Sequence, residues 1–225
     1  MKQLIYVNLG QIKYQQAWEI QKKLVKLRYE LKIPDCLIVC EHDPVITMGR
    51  GTDKNNLLVS KEALQEKGID LCEVERGGDI TFHGPGQIIL YPIVDLKNRE
   101  KDSHKYLRDL ESVAIKALDK LGMKAEIKKG LTGIWVNDQK IGAIGVALSR
   151  WVTYHGMALN VNTDLDHYRL IIPCGITEYP VGSVSEILSK TINIDNIKEL
   201  LVENFVRYFG YDEITVKEID QILQF

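Results

Sequence analysis

The chain has 225 residues, a formal net charge of −2 at pH 7, 45% hydrophobic residues and 27% charged residues. This composition supports a buried core and argues against an intrinsically disordered chain. The balanced charge gives no reason to expect a nucleic-acid partner, and the sequence has no run of 18 or more apolar residues that would predict a membrane span.

The length suits one large domain or one domain with a small appendage, and we take residues 1–225 as a single domain. The start, MKQLIYVNLG, indicates a strand and has the pattern of neither an export signal nor a transit signal. We therefore expect a cytoplasmic protein, in which the four cysteines are free thiols unless they bind a metal.

Helices and strands follow one another in a mixed order. Amphipathic and capping patterns predict helices at 14–31, 62–67, about 103–121 and 194–209. Ser183 and Glu186 have the spacing of a capping box, which predicts a further short helix there. Apolar runs predict strands at 3–9, 37–41, 45–48, 71–76, 79–83, 87–96, 131–136, 140–148 and 152–161. This order favours an α+β domain, with a mixed or largely antiparallel sheet and helices packed against it.

Glycines surround the short strand predicted at 79–83, in the stretch ERGGDITFHGPGQ. Glycine permits positive φ and a close approach of the backbone to a ligand, so this stretch could form one wall of a pocket. Two ordinary β-turns are the competing interpretation. The spacing matches neither a phosphate-binding loop nor a dinucleotide-binding motif.

Cys174 lies between Pro173 and Gly175, at the end of a segment with little helix or strand pattern. Such a corner can expose a side chain and direct backbone N–H groups at an oxyanion. A free cysteine is only about 3% thiolate at neutral pH, and a nearby ammonium group raises that fraction. The candidate role is a nucleophile; a small buried hydrophobic residue is the alternative.

Lys140 is the only lysine between Lys129 and Lys190, and it opens a segment of apolar and glycine residues. We predict that it stabilises the thiolate of Cys174. The alternative is a solvated hairpin lysine, because residues 137–139 look like a turn.

Cys36, Cys40 and His42 would share one face of a continuous strand, and Cys72 could add a fourth metal ligand. Strands rarely bring this spacing into tetrahedral geometry, so core cysteines are the better interpretation, and no metal site is predicted.

The strand VTYHGMALNV predicts alternating faces, with His155 and Met157 on one side and Tyr154 and Gly156 on the other. His83 and His155 are candidate substrate contacts or general bases. Each of the two lies between apolar or glycine neighbours, so a buried structural histidine with its hydrogen bonds satisfied fits the pattern equally well.

Taken together, several segments resemble the lipoyl(octanoyl) transferase family, whose members are also called octanoyl-[acyl-carrier-protein]:protein octanoyltransferases or lipoate-protein ligase B. The segments are RGGDITFHGPGQ, GIW at 133–135, KIGAIGV at 140–146, WVTYHGMALNVNTDL at 151–165 and PCGI at 173–176. The similarity extends from EHDPVITMGR to the region after PCGI, which is nearly the whole chain.

The resemblance implies a fold like that of the biotin protein ligase and lipoate ligase catalytic domains. It implies transfer of an octanoyl group from octanoyl-acyl-carrier protein to a specific lysine of lipoyl domains. The expected acceptors are E2 subunits of 2-oxoacid dehydrogenases and the H protein of glycine cleavage. No ATP, metal or other cofactor is implied, and neither a nucleic acid nor a membrane is an expected partner.

The resemblance also implies roles for individual residues. Cys174 corresponds to the nucleophile that carries the acyl thioester, and Lys140 corresponds to the lysine that activates it. The residues implied to line the acyl site are Arg76, Gly77, Gly78, Asp79, Ile80, Thr81, Phe82, His83, Ala143, Ile144, Gly145, Gly156, Met157 and Ala158, with His155 in a supporting position.

Two other functions compete with this interpretation. An ATP-dependent lipoate or biotin protein ligase of the same fold would use Lys140 on an acyl-adenylate and leave Cys174 idle. A non-catalytic acyl-binding or regulatory domain is the other alternative, and the presence of both residues argues against it.

A basic cluster is a candidate docking surface for acidic carrier or lipoyl proteins, although a solvated face explains it as well. Its members are Lys120, Lys124, Lys128 and Lys129, with Arg150 as a possible neighbour across the strands.

Overall fold

The computed structural model describes residues 1–224. Its strands are β1 (Gln3–Ile12), β2 (Asp35–His42), β3 (Val45–Met48), β4 (Asp70–Glu73), β5 (Ile80–His83), β6 (Gln87–Ile93), β7 (Glu126–Lys128), β8 (Leu131–Val136), β9 (Gln139–Ser149), β10 (Val152–Asn160) and β11 (Glu213–Val216). Its α-helices are α1 (Tyr14–Tyr29), α2 (Lys61–Glu66), α3 (Ser103–Asp119), α4 (Val184–Leu188), α5 (Ile194–Phe209) and α6 (Ile219–Leu223). No helix within residues 1–224 is both long and apolar enough to cross a membrane.

Eight strands form one sheet in the order β11-β1-β2-β6-β10-β9-β8-β7, and β4-β3-β5 form a second, smaller sheet. The β1–β2, β1–β11 and β3–β4 pairs are parallel, and the other pairs are antiparallel. The structure therefore confirms the predicted α+β class with a mixed sheet.

The two faces of the large sheet are covered by different helices. Alternate side chains of β2 and β6, such as Leu37 and Leu90, pack with α3 and α5 in one core cluster. The intervening side chains, such as Ile38 and Tyr91, pack with α1 in a second cluster. Burying one such aliphatic side chain contributes about 1.5–3 kcal/mol, so the alternation fixes which face α1 covers.

Short polar side chains define the helix ends that the sequence predicted. The Asp102 carboxylate accepts hydrogen bonds from the first-turn amides of α3, and the Ser183 hydroxyl accepts one from the Glu186 amide of α4. α5 ends at Gly210, which has a φ of 65°. These contacts satisfy amide groups that a helix leaves without partners inside itself.

The elements that the sequence analysis missed are short and depend on distant partners. β11 pairs with β1 across 210 positions, with Gln3 opposite Glu213, and β7 pairs only with β8. α6 follows β11 in the short apolar tail after Gly210, for which the sequence predicts neither a helix nor a strand. None of the three carries a periodicity of its own, so each is defined by the element against which it packs.

Candidate active site

A narrow cleft lies on the α1 face of the large sheet, where β9 and β10 meet β5 and the glycine-rich loop 76–79. The residues that line it are Tyr14, Arg76, Gly77, Gly78, Asp79, Thr81, His83, Ile89, Tyr91, Ala143, Ile144, Gly145, His155, Gly156, Met157, Ala158 and Cys174. Twelve of the fourteen residues implied by the resemblance are therefore brought together around one cleft, along with Cys174 and His155.

Cys174 is held in a tight turn, Pro173–Gly175, which we call the PCG corner. Its φ of 57° and ψ of 20° lie in the left-handed region, and Gly175 follows with a φ of 65°. A non-glycine residue there costs roughly 1–3 kcal/mol and persists only where its surroundings impose it. The amides of Gly175 and Ile176 donate to Ile172 O at 3.1 Å and Pro173 O at 3.0 Å. These two amides are thus occupied by the turn, contrary to the expectation that they would face an oxyanion.

The PCG corner is attached to the cleft by neighbouring loops. Asn56 O accepts from the Ile172 amide at 2.8 Å, and Asn56 Nδ2 donates to Asp79 Oδ2 at 2.5 Å. A Cβ on Gly175 would lie 3.4 Å from that same carboxylate oxygen. Asp79 therefore links the glycine-rich loop to the corner that carries the cysteine.

Lys140 comes from the regular sheet. It pairs with Trp135 of β8, its amide donates to Pro180 O at 2.9 Å, and its carbonyl accepts from Gly182 N at 3.0 Å. The side chain crosses Gly133, where a Cβ would lie 2.7 Å from Lys140 Cε. The absence of a side chain at Gly133 thus provides the space through which the lysine reaches the cleft.

The two predicted reactive groups meet. Lys140 Nζ donates to Cys174 Sγ at 3.3 Å, and Lys140 is 7% exposed. An ammonium this close to a sulfur, with little solvent between them, favours the thiolate over the thiol. The solvated-lysine interpretation of Lys140 is therefore wrong.

The other three cysteines have a different environment. Burial raises the pKa of Cys36 to about 12, raises the pKa of Cys40 further, and raises the pKa of Cys72. All three are therefore thiols at neutral pH, and thiols are poor nucleophiles.

The glycine-rich loop lies directly on β9. The Gly77 amide donates to Val146 O at 2.9 Å, and a Cβ on Gly145 would lie 2.8 Å from Gly77 O. On the neighbouring strand, a Cβ on Gly156 would overlap Leu90 O. The glycines at these positions allow the backbones to close around a cleft that larger residues would fill.

Arg76 is buried under this loop and holds it in place. Its Nη2 donates to Thr47 O at 2.7 Å, and its Nη1 donates to Gly77 O at 3.1 Å. The Thr47 hydroxyl also lies 3.4 Å from His83 Nε2, and His83 Nδ1 lies 2.7 Å from Gln87 Oε1. A continuous hydrogen-bonded chain thus runs from the loop to β6.

Two buried histidines, His83 and His155, line the cleft, and a third, His42, lies behind it with its ring centroid 6.0 Å from that of His83. Burial lowers the pKa of His83 to about 3, with a further contribution from His42. Burial lowers the pKa of His155 to about 3 and that of His42 to about 4. All three are neutral at pH 7 and accept protons weakly there, which favours the structural or substrate-contact interpretation over a general base.

The predicted face of His155 is wrong. Its φ is 56°, and this break in the strand turns it away from the Met157 side. His155 Nδ1 lies 3.3 Å from the Tyr14 hydroxyl of α1, and its amide donates to Gln21 Oε1 at 2.7 Å. Simple alternation did not reveal a left-handed residue in the middle of a strand.

The side chains of Ile80 and Phe82 do not line the cleft, which corrects two members of the implied set. They pack with Ile46 under the small sheet, while Thr81 and His83 face the cleft. The strict alternation of β5 explains the difference, because neighbouring residues of a strand point to opposite faces.

Three lining residues were missed: Tyr14, Ile89 and Tyr91. Each belongs to an apolar pattern that predicts core packing equally well, and none lies near the glycine-rich segments in the sequence. The Tyr91 hydroxyl lies 2.8 Å from His42 Nε2, a contact that no local sequence pattern indicates.

The cysteine–histidine group on β2 is part of the core. Cys40 Sγ lies 3.8 Å from His42 Nε2, and His42 Nδ1 lies 2.8 Å from Ile12 O. Within residues 1–224 no three His, Cys, Asp or Glu side chains are grouped so that they could hold a metal ion.

The structure does not place Arg150 beside the lysines of the predicted basic cluster. Lys128 forms an ion pair with Asp138, and Lys120 lines a groove with Lys190. Arg150 packs instead on the ring of Tyr29, with its Cζ 4.4 Å from the ring centroid. Arg150 is therefore part of a different surface.

Fold and cleft together define an acyl-handling α+β domain of the biotin and lipoate ligase type. The family model described as the lipoyl protein ligase A/B catalytic domain matches residues 13–206, and the chain belongs to this family. An octanoyltransferase of Clostridium kluyveri is 41% identical over 213 residues, which are 95% of this chain and 91% of that protein. The predicted family is thereby confirmed, and the chain is an acyltransferase.

Solved structures confirm the predicted fold. The structure of a bipartite lipoate protein ligase and its E2 lipoyl domain from Thermoplasma acidophilum is similar with a TM-score of 0.78 at 16% identity, covering 100% of this chain and 91% of that one. The biotin protein ligase of Aquifex aeolicus is similar with a TM-score of 0.52 at 13% identity, covering 93% of this chain and 69% of that one.

Proposed function

We propose that this chain transfers an octanoyl group from octanoyl-acyl-carrier protein to a lysine of a lipoyl domain, through a thioester on Cys174. The observation that carries the proposal is the 3.3 Å contact between Lys140 Nζ and Cys174 Sγ beside a narrow, glycine-walled cleft. The names of the octanoyltransferase relatives support the acyl group. The E2 lipoyl domain named with the archaeal ligase structure supports the acceptor class.

In the first half-reaction the Cys174 thiolate attacks the thioester carbonyl of the donor. The new bond joins Cys174 Sγ to the acyl carbon, and the bond from that carbon to the carrier sulfur breaks. The departing carrier thiolate takes a proton from the Lys140 ammonium, which leaves Lys140 neutral. The donor is already activated as a thioester, so this step needs no nucleotide.

In the second half-reaction the amine of the acceptor lysine attacks the Cys174 thioester. An amide bond forms, the bond to Cys174 Sγ breaks, and neutral Lys140 accepts the proton that the amine loses. The enzyme then returns to the thiolate–ammonium pair with which it began. One lysine thus serves as acid in the first half and base in the second.

The lining of the cleft suits a straight alkyl chain, but its volume is about 40 Å³, so its walls have to move apart to admit an octanoyl group. Its floor consists of small residues at 143, 145, 156 and 158, and it continues towards the rings of Tyr14 and Tyr91. A chain that lies there replaces contacts with water by contacts with apolar atoms, at about 0.8 kcal/mol for each buried methylene group.

An ATP-dependent ligase is the second candidate, because the similar solved structures include a lipoate-protein ligase A bound with ATP, at a TM-score of 0.78 and 16% identity. The position of Cys174 beside Lys140 favours the transferase, since a ligase acting through an acyl-adenylate has no use for the cysteine. Omitting ATP distinguishes the two: the transferase keeps its full rate.

Intact mass after mixing with octanoyl-acyl-carrier protein tests the proposal. We expect one octanoyl adduct, located on Cys174 by peptide mapping, and its discharge by a lipoyl domain. Cys174→Ser should lose turnover by about three orders of magnitude or more while staying folded, because a serine hydroxyl stays protonated beside the lysine. Cys72→Ser is the matched control and should keep its rate. An adduct on Cys36, Cys40 or Cys72 would contradict the proposal.

The E2 and H-protein acceptors, the place of this step at the start of endogenous lipoylation, the cytoplasmic location and the single domain over residues 1–225 stay predictions.

A further inference from the structure

A basic groove lies between the carboxyl-terminal half of α1 and the turn that joins β9 to β10. It has a volume of about 440 Å³. Its lining consists of Lys22, Val25, Lys26, Tyr29, Glu30, Ser149, Arg150 and Tyr154. We call this the α1–turn groove.

The charge of the α1–turn groove is positive. Three of its residues are cationic and one, Glu30, is acidic. The Glu30 carboxylate pairs with Lys32 Nζ at 2.9 Å, so it neutralises little of the positive charge of the groove. Two of the cations rest on aromatic rings: Lys22 Nζ lies 4.3 Å from the centroid of Trp18, and Arg150 Cζ lies 4.4 Å from that of Tyr29. Such stacking holds a charge in a defined position on the surface.

The turn beside the groove is built from residues that fit it poorly. Arg150 and Trp151 have φ values of 52° and 69°, between Ser149 and Val152, which pair with each other. A two-residue hairpin turn with positive φ at both positions favours Asn-Gly or Asp-Gly. Here an arginine and a 38% exposed tryptophan occupy it instead. Arginine and tryptophan are the residues that dominate binding energy at protein interfaces.

The groove and the acyl cleft lie on the same face of the large sheet. Tyr14 of α1 lines the cleft, and Lys22 and Lys26 follow on the same helix. At 1.5 Å per residue, these lysines lie roughly 12 and 18 Å from Tyr14 along the helix axis. On β10, Tyr154 lines the groove only two residues before Gly156, which lines the cleft.

We propose that the α1–turn groove docks the acidic surface of the carrier protein that donates the acyl group. This inference rests on the proposed function. The three cations attract the acidic partner, Arg150 contacts it from within the groove, and Trp151 adds an exposed ring in the adjoining turn. The attraction acts mainly by raising the rate of productive encounter.

Distance assigns the groove to the donor rather than to the acceptor. A carrier protein presents its acyl group on a long flexible prosthetic arm, so its body can dock well away from Cys174. An acceptor presents only a lysine side chain, so its body has to lie directly over Cys174. Lys22 and Lys26 lie roughly 12 and 18 Å along α1 from Tyr14 of the cleft, and this spacing suits the first arrangement.

Two charge reversals of equal size test the proposal. Lys26→Glu with Arg150→Glu changes the groove, and Lys120→Glu with Lys124→Glu makes the same change in net charge on the lysine cluster that the sequence offered as the other candidate dock, so the two surfaces are compared directly. We expect the first pair to lower kcat/KM for octanoyl-acyl-carrier protein at least tenfold at low salt and to flatten its salt dependence. The reaction with octanoyl-N-acetylcysteamine, which has no carrier, should keep its wild-type rate. The second pair should keep both rates.

Several outcomes would overturn the docking assignment. Equal losses of kcat/KM in the two double variants would mean that only the net charge of the enzyme matters, and not the position of the cations. A loss on the small thioester would mean a damaged cleft. The acceptor is tested separately, by loading the enzyme with the small thioester and then adding a lipoyl domain. If the groove variant transfers its acyl group to the lipoyl domain more slowly than the wild type, the groove belongs to the acceptor. If the wild-type enzyme forms no adduct with either donor, the proposed function itself fails.

Discussion

The strand β9 runs between two hairpin turns that have the same backbone shape and opposite chemistry. Asn137 and Asp138 precede it with φ values of 48° and 63°, and Arg150 and Trp151 follow it with 52° and 69°. Asparagine and aspartate tolerate the left-handed region, whereas arginine and tryptophan gain nothing from it. The first turn is therefore explained by local geometry, and the second requires a reason outside the turn.

The chemistry at the two ends differs in the same way. Next to the first turn, Lys140 points into the cleft and meets Cys174 at 3.3 Å. At the second turn, Arg150 lies on the ring of Tyr29 and lines the α1–turn groove, and Trp151 is exposed. One end of β9 carries the proposed reaction and the other carries the proposed recognition of the donor.

The largest expected effect comes from the reactive end. Lys140→Ala removes the ammonium group that contacts Cys174 Sγ. We expect the alkylation of Cys174, followed over a series of pH values, and acyl-enzyme formation at pH 7 both to slow about tenfold or more.

Lys128→Ala is the control for that experiment. Lys128 Nζ lies 5.5 Å from the centroid of the Trp135 ring and Lys140 Nζ lies 5.6 Å from it, so both lysines use one ring. Only Lys140 contacts the sulfur. An alkylation profile that moves equally in both variants, or in neither, would remove Lys140 from the activation of Cys174.

The second prediction exchanges the chemistry of the turns. Replacing Arg150-Trp151 by Asn-Gly should raise the free energy of unfolding by about 1 kcal/mol, because the left-handed strain is relieved. It should also slow acyl transfer from carrier protein while leaving the small-thioester reaction intact. Chemical denaturation and the two donor assays measure both effects.

The corresponding change at the first turn, Asp138→Gly, should alter stability by less, since aspartate already suits its position. A destabilised Asn-Gly variant would show that Arg150 and Trp151 stabilise the hairpin, and the contrast between the two turns would then be lost.

The last prediction concerns the buried histidines, and it affects stability rather than acyl transfer. Their folded-state pKa values are lowered by burial, to about 4 for His42 and about 3 for His83. Unfolded histidine binds a proton near pH 6.5, so the unfolded state gains protons first as the pH falls. The free energy of unfolding should therefore fall from pH 6.5 towards pH 4, by about 1.4 kcal/mol per pH unit for each histidine.

Removing one of these histidines isolates its share of that slope. His42→Gln should reduce the slope of the free energy of unfolding against pH by about 1.4 kcal/mol per pH unit, which corresponds to one bound proton. Denaturation at a series of pH values between 4.5 and 6.5 measures that slope. His104→Gln, an exposed position, should leave the slope as in the wild type. Identical slopes in all three proteins would show that His42 is already protonated in the folded state.

The sequence predicted the reactive pair because each of the two residues lies in a distinctive local sequence. Cys174 stood in a Pro-Cys-Gly corner, and Lys140 was isolated at the start of a glycine-rich strand. Their contact could not be derived from spacing, because it depends on the PCG corner folding back over β9. The resemblance to a known family supplied that information.

Other features of the structure are not indicated by any local sequence pattern. The turn at Arg150 and Trp151 has no turn-forming residues, so only the gap between two predicted strands indicated it. The left-handed His155 sits in a pattern that alternates normally. Tyr14 and Tyr91 line the cleft from elements whose apolar residues predict core packing, and their role depends on the tertiary arrangement of α1 and β6.

The parallel pairing of β1 with β11 has a consequence for how this chain is made. Residues near Gln3 leave the ribosome first and pair with β2 soon afterwards, whereas their partners near Glu213 are synthesised about two hundred residues later. During that interval β1 forms an open sheet edge, with unpaired backbone groups that attract other strands. Chains truncated before residue 213 should therefore depend more on chaperones than the released full-length chain, in which β11 closes the edge.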